Sequence, residues 1–251
     1  MLVEQRQKYI LEHLAAEGAL AIADLVTALS VSRETVRRDL NQLADRGLLV
    51  LTHGGALAAE RTEPHVDVRA GVNAEGKRAI GMRAAELVPD GASVILDYGT
   101  TTRAVAQGLH AHRNLVIYTN DIAIALTLGR RNGNRVVLLG GDLLDHQDAT
   151  HGWDTIEQLS RYHTDFAFIG IGGVTPDGGI SEYSRGAAEM RSRMLTCATS
   201  PCVVADHSKF GINAGVRIRH FEKARWIISD MAPEPELVEA LKAAGPELVI
   251  A

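Results

Sequence analysis

Four short stretches of this chain carry residue types suited to holding a small anion. "LDYGTTT" supplies Asp97, Gly99, Thr100, Thr101 and Thr102, "YTND" supplies Asn120, "LLGG" ends on Gly141, and "ADHSK" carries Asp206 and Lys209. A glycine followed by threonines at a helix start offers hydroxyls and unpaired backbone N–H groups, and the helix dipole favours negative charge there. Lys209 adds a point charge, and Asp97, Asn120 and Asp206 can share hydrogen bonds with the hydroxyls of a polyol. Together they suit a small phosphorylated sugar or polyol. The same residue types could also do chemistry. With Asp97 or Asp206 as base and Lys209 beside an enediolate, they would make a sugar-phosphate isomerase.

The elements that must position these residues are legible as alternating apolar and amphipathic runs. From Ala92 onward, strand-like "ASVILD", "LVIYT", "RVVLLG", "DFAFIGIGG", "PCVVAD", "WIISD" and "ELVI" alternate with helix-like segments such as 101–109, 122–128, "EMRSRML" and "PELVEALK". Continuous apolar strands separated by helices predict an α/β domain with a mainly parallel sheet covered on both faces. Ligands in such sheets sit beyond the carboxyl ends of the strands, where every residue named above falls. The later glycines do not make a dinucleotide loop, because after Gly170 and Gly172 the third required position is Thr175.

The first residues follow another pattern. Apolar spacing predicts a helix over 3–17 closed by Gly18, a second in "IADLVTALS", and a third in "SRETVRRDLNQLADRG". In the third, Ser32 is the N-cap, Glu34 suits the first turn and Gly47 closes the end. Val36, Leu40 and Leu43 face inward, leaving Glu34, Thr35, Arg38, Asn41 and Gln42 outward with Arg33 and Arg37 flanking. Such a helix, entered by a tight turn from another, can lie in a DNA major groove. Arg38 could read a guanine edge and Thr35 a thymine methyl, with Arg33 and Arg37 on phosphates. The alternative is a solvated amphipathic helix, since residues 1–57 hold six Lys or Arg against seven Asp or Glu.

Composition sets the limits. The chain has 251 residues, 46% hydrophobic and 23% charged, with a formal net charge of −5. More than one core is allowed, and any DNA-binding surface must be local. Cys197 and Cys202 cannot build a disulfide framework or a four-thiolate site, which predicts reduced thiols. His110 and His112 have no third ligand in register, so no metal or cofactor is expected. The first residues carry Glu4, Arg6, Lys8 and Glu12 through their apolar positions, which excludes a spanning stretch and predicts a cytoplasmic protein. The expected organisation is a first domain over 1–57, a linker over 58–73 marked by Pro64, and an α/β domain over 74–251. "GVNAEGKR" nearly matches a phosphate loop, but Arg78 stands where Ser or Thr should meet magnesium. It reads better as the entry to a helix over 79–87.

"VSRETVRRDLNQL" followed by "HGGA" resembles the N-terminal signature of DeoR-type bacterial repressors. "LDYGTTT", "YTND", "LLGG", "DFAFIGIGG" and "ADHSKFG" resemble successive blocks of their effector domain, so the resemblance spans nearly the whole chain. It implies a winged helix-turn-helix in which Ser32 and His53 join the arginines at DNA. Leu51 stands where the family often has Arg. It also implies an effector domain similar in fold to ribose-5-phosphate isomerase and coenzyme A transferases, binding phosphorylated metabolites as inducers. Glu189 falls where the family commonly has Glu, and Arg191 where Lys is usual; charge is kept but geometry is not. "GGISEYS" and "ADHSKFGINAGVR" are more similar to the branch answering to glycerol 3-phosphate, in which Glu182 could meet glycerol hydroxyls or instead pair with Arg185. The expectation is a cytoplasmic repressor that binds double-stranded operator DNA as a homodimer or homotetramer and releases it on binding a phosphorylated polyol or sugar. The alternative is the isomerase-like enzyme.

Overall fold

The computed structural model describes residues 3–17, 19–45, 48–52, 54–58, 63–144 and 147–251. The chain divides into two compact units, Met1–Val68 and Arg69–Ala251.

The first unit runs α1 (Val3–Glu17), β1 (Ala19–Ala21), α2 (Ile22–Leu29), α3 (Arg33–Asp45), β2 (Leu49–Thr52) and β3 (Gly55–Ala58). The strands form an antiparallel sheet in the order β1-β3-β2, giving a three-helix domain with a small wing. Its core joins Ile10 and Leu14 of α1, Ile22, Leu25 and Leu29 of α2, and Val36, Leu40 and Leu43 of α3, with Leu49 and Ala56 from the sheet. These are the periodic positions, and each fully buried Leu, Ile or Val contributes roughly 1.5–3 kcal/mol. The turn between α2 and α3 is made by Ser30, held at φ 52°, with Val31 and Ser32. The Ser32 Oγ accepts the Thr35 amide at 3.1 Å, so the predicted N-cap is in place. The closures expected at Gly18 and Gly47 lie outside the described residues.

A short helix, α4 (Val66–Gly71), occupies part of the span read in the sequence as linker, and α5 (Ala74–Ala85) begins five residues before the expected helix start. Val66 is buried, and Asp67 and Arg69 complement the ends of α4. At six residues this helix is too short for its apolar period to stand out from the sequence.

The second unit continues β4 (Ser93–Leu96), α6 (Thr100–Gly108), β5 (Val116–Thr119), α7 (Ile122–Leu128), β6 (Arg135–Leu138), β7 (Asp142–Leu143), β8 (Thr150–His151), α8 (Trp153–Leu159) and β9 (Thr164–Ile169). It ends β10 (Gly173–Val174), β11 (Ile180–Glu182), α9 (Arg185–Thr196), β12 (Ala198–Val204), β13 (Val216–Arg217), β14 (Trp226–Ser229), α10 (Pro235–Ala244) and β15 (Glu247–Ile250). Seven parallel strands form one sheet in the order β15-β14-β12-β9-β4-β5-β6. One apolar core on one face includes Ile95, Ile169, Met194 and Leu241; a second on the other includes Leu96, Ile117, Phe168 and Ile228. Neighbouring residues of one strand serve opposite cores, as the pleat requires. From β4 the chain adds β5 and β6 on one side, then β9 and β12 on the other. The order therefore reverses between β4 and β9, where such folds form a crevice at the strand carboxyl ends.

Candidate functional site

Asp97 leaves β4 at that reversal. Its Oδ2 accepts the amide of Gly170, just past β9, at 3.1 Å and Nε of Arg191 from α9 at 2.7 Å. The Arg191 Nη1 approaches Glu182 Oε1 at 2.7 Å, an ion pair whose angle falls outside hydrogen-bond alignment. The guanidinium lies 4.7 Å from the Tyr98 ring centroid. Arg191, Asp97 and Glu182 are all buried, so one cation faces two carboxylates away from solvent. Burial pushes the Asp97 carboxyl above the ordinary carboxylate value; Arg191 and the Gly170 amide oppose that without cancelling it. The sequence reading allowed Glu182 to pair with Arg185; its partner here is Arg191.

Beyond Asp97 the chain turns through Gly99, whose φ of 131° is a conformation side-chain-bearing residues rarely adopt. Thr100 opens α6 half-buried, while Thr101 and Thr102 are buried. The Thr102 hydroxyl donates back to the Gly99 carbonyl at 2.9 Å, so it shapes the turn. The Asp121 carboxylate caps α7 through the Ile124 amide at 2.9 Å and holds Nε of Arg103 at 2.8 Å. These bonds fix α6 and α7 side by side at the strand ends.

The other predicted residues are distributed unevenly. Asn120 follows β5 and donates to the Thr150 carbonyl at 2.9 Å. Asp206 follows β12, its Oδ1 accepting the Ser208 amide at 3.1 Å and hydroxyl at 2.5 Å, and half-buried Lys209 ends that turn. Asp97 Oδ1, Asn120 Oδ1 and Asp206 Oδ2 are buried with no hydrogen-bond partner among the described residues. Gly141 is exposed, at φ 150°, and packs on the Thr155 side chain and the His151 carbonyl, where any Cβ would collide. That packing accounts for its glycine.

Two cations that the strand ends do not supply stand near α6. Lys77 of α5 is buried and donates to the Arg69 carbonyl at 2.6 Å. The Arg69 guanidinium binds Gln147, and its Nη1 lies 3.8 Å from where a Cβ on Gly99 would be. Burial holds the Lys77 ammonium below the ordinary lysine value; Asp206 opposes this, and Lys209 and Arg69 add to it. The available signal is the lysine of "EGKR", whose phosphate-loop context fails at Arg78.

In the first unit, Arg33, Arg37 and Arg38 are exposed along α3. Ser32 Oγ and Thr35 Oγ1 share a hydrogen bond at 2.9 Å, and His53 lies outside the described residues. Opposite the exposed face, buried Asp39 receives Arg6 of α1 in a two-pronged pair, Nε–Oδ2 2.7 Å and Nη2–Oδ1 3.1 Å.

Two family descriptions match the chain: a DeoR-like helix-turn-helix domain over residues 6–62 and a DeoR C terminal sensor domain over residues 72–231. The chain is 33% identical over 238 residues to the glycerol-3-phosphate regulon repressor of Escherichia coli (strain K12), covering 94% of each. It is 30% identical over 250 residues to the putative aga operon transcriptional repressor of Escherichia coli O157:H7, covering 98% of this chain and 93% of that one. Among solved structures, ribose 5-phosphate isomerase A from Methanocaldococcus jannaschii aligns at 18% identity with a TM-score of 0.40, over 55% of each chain. Both units and nearly the full length thus match one group of regulators, and the chain belongs to the DeoR family of DNA-binding transcriptional repressors.

Proposed function

We propose that this repressor binds operator DNA through α3 and the wing, and that a small phosphorylated polyol, glycerol 3-phosphate in the first instance, controls that binding. The observation that carries the effector reading is the trio of buried oxygens at the carboxyl ends of three strands that have no hydrogen-bond partner among the described residues: Asp97 Oδ1, Asn120 Oδ1 and Asp206 Oδ2. An unsatisfied buried acceptor costs about 1–3 kcal/mol, and the hydroxyls of a polyol are donors that relieve it. The N-terminus of α6 favours the phosphate, and Lys209 adds charge. The name of the E. coli relative supports glycerol 3-phosphate within that class.

On DNA, Arg38 reads a base edge and Arg33 and Arg37 hold phosphates. Because Ser32 engages the Thr35 hydroxyl, the methyl of Thr35 is the part left to meet a thymine methyl. One short helix reads few bases, so the chain acts as a homo-oligomer on a repeated site. Release requires that the effector bind the DNA-free arrangement more tightly, since equal affinity for both shifts nothing. Thermal-shift measurements with glycerol 3-phosphate, other sugar phosphates and free glycerol test the effector. A ligand at a hundred times its Kd stabilises the folded form by about 2.7 kcal/mol, so glycerol 3-phosphate should raise the melting temperature and glycerol should raise it far less. No shift with any phosphorylated compound refutes the reading.

A further inference from the structure

Lys77 is 5% exposed, and among the described residues the one hydrogen bond of its ammonium is to a neutral carbonyl, that of Arg69. Among the described residues no carboxylate lies within ion-pair distance of its ammonium, the nearest balancing charge being Asp206 at longer range. Buried ammonium groups are expensive unless paired with an anion. If Lys77 served only to tie α5 to α4, a neutral donor would do so without the repulsion of Lys209 and Arg69. Lys77 also lines the same groove as Thr100, the first residue of α6, and Arg103. Arg69 stands beside Gly99, the residue that caps α6. Lys77 thus shares a groove with the first residue of α6 and is bonded to the carbonyl of Arg69, whose guanidinium stands at the residue that caps the same helix.

We propose that Lys77 and Arg69 hold the phosphate group of the effector against the N-terminus of α6. The ligand class is a phosphate monoester in its dianionic form: two flanking cations and the helix dipole match two negative charges better than one. Arg69 of α4 supplies a planar fork and Lys77 of α5 a point charge. This rests on the reading that the effector is phosphorylated, and extends it to residues outside the strand ends.

The test is calorimetric titration of the full-length chain with glycerol 3-phosphate, inorganic phosphate and free glycerol, for wild type, Lys77→Met, Arg69→Gln and Arg83→Ala. Arg83 pairs with Glu86 on the outer side of α5 and serves as the control. Loss of one charge-assisted hydrogen bond should weaken glycerol 3-phosphate about tenfold or more in Lys77→Met and in Arg69→Gln, leaving glycerol unchanged, with Arg83→Ala like wild type. Without ligand, Lys77→Met should melt at or above the wild-type temperature. Wild-type affinity for glycerol 3-phosphate and phosphate in both variants overturns the proposal and leaves the phosphorylated effector standing. Equal weakening of glycerol and glycerol 3-phosphate also overturns it, since the residues would then only shape the fold. If Lys77→Met does not fold, Arg69→Gln decides by the same criteria. Failure of wild type to bind any phosphorylated compound refutes the effector reading itself.

Discussion

The two units each bury an arginine against carboxylate, and they do so in opposite ways. In the first, Arg6 and Asp39 form a two-pronged pair: one cation and one anion joined by two hydrogen bonds, tying α1 to the inner face of α3. In the second, Arg191 faces both Asp97 and Glu182, and Asp97 keeps an oxygen with no hydrogen-bond partner among the described residues. A pair of one cation and one anion balances its own charge. An arginine shared by two carboxylates leaves net negative charge and open acceptor capacity, which is stable only when other groups contribute. Asp39 therefore supports the helix whose exposed arginines we propose to meet DNA, whereas Asp97 belongs to the interior we propose to meet the effector.

The contrast makes predictions that fall in order of size. Arg191→Met strands two buried carboxylates and should destabilise the second unit by about 3–5 kcal/mol at neutral pH. The sign with pH follows from Asp97, whose carboxyl is already raised by burial. A raised acid binds its proton more tightly folded than unfolded, so stability falls as pH rises from the unfolded value toward the folded one. The deficit should thus shrink as pH falls toward the ordinary carboxylate range, read by denaturant unfolding across pH; a pH-independent deficit would mean that lost packing dominates. Asp39→Ala should lower the melting of the first unit by more than roughly 10 °C, with the second unit unchanged in calorimetry. Equal loss in both units would erase the distinction drawn between them. Arg38→Ala should leave both transitions in place, weaken operator binding by about tenfold to a hundredfold and relax the sequence preference at the base it reads; unchanged binding would remove α3 from the interface.

The sequence made the frame visible because the frame is periodic. Val36, Leu40 and Leu43 mark the inner face of α3, and apolar runs marked all seven strands of the parallel sheet. Asp97 and Gly99 were found because they stand directly after such a run. What was not legible depends on partners distant along the chain: Asp39 meets Arg6 across 33 positions and Asp97 meets Arg191 across 94. One signal was available, since Asp39 sits three residues after Val36 and four before Leu43, a charge on the apolar face that needed a partner. Lys77 gave less. Its burial depends on how α4, α5 and α6 pack, and its local context pointed to a phosphate loop that the flanking residues do not support.

The central claim is that ligand binding at the strand ends controls operator affinity. It is tested most directly by titrating the full-length chain onto a repeated operator at fixed salt, with and without saturating glycerol 3-phosphate. Reciprocal coupling between the two sites, typically 1–3 kcal/mol, predicts an operator Kd raised about 5- to 150-fold by the ligand, and an equal loss of ligand affinity on the operator-bound protein. An operator Kd unchanged by a ligand that demonstrably binds would contradict the account.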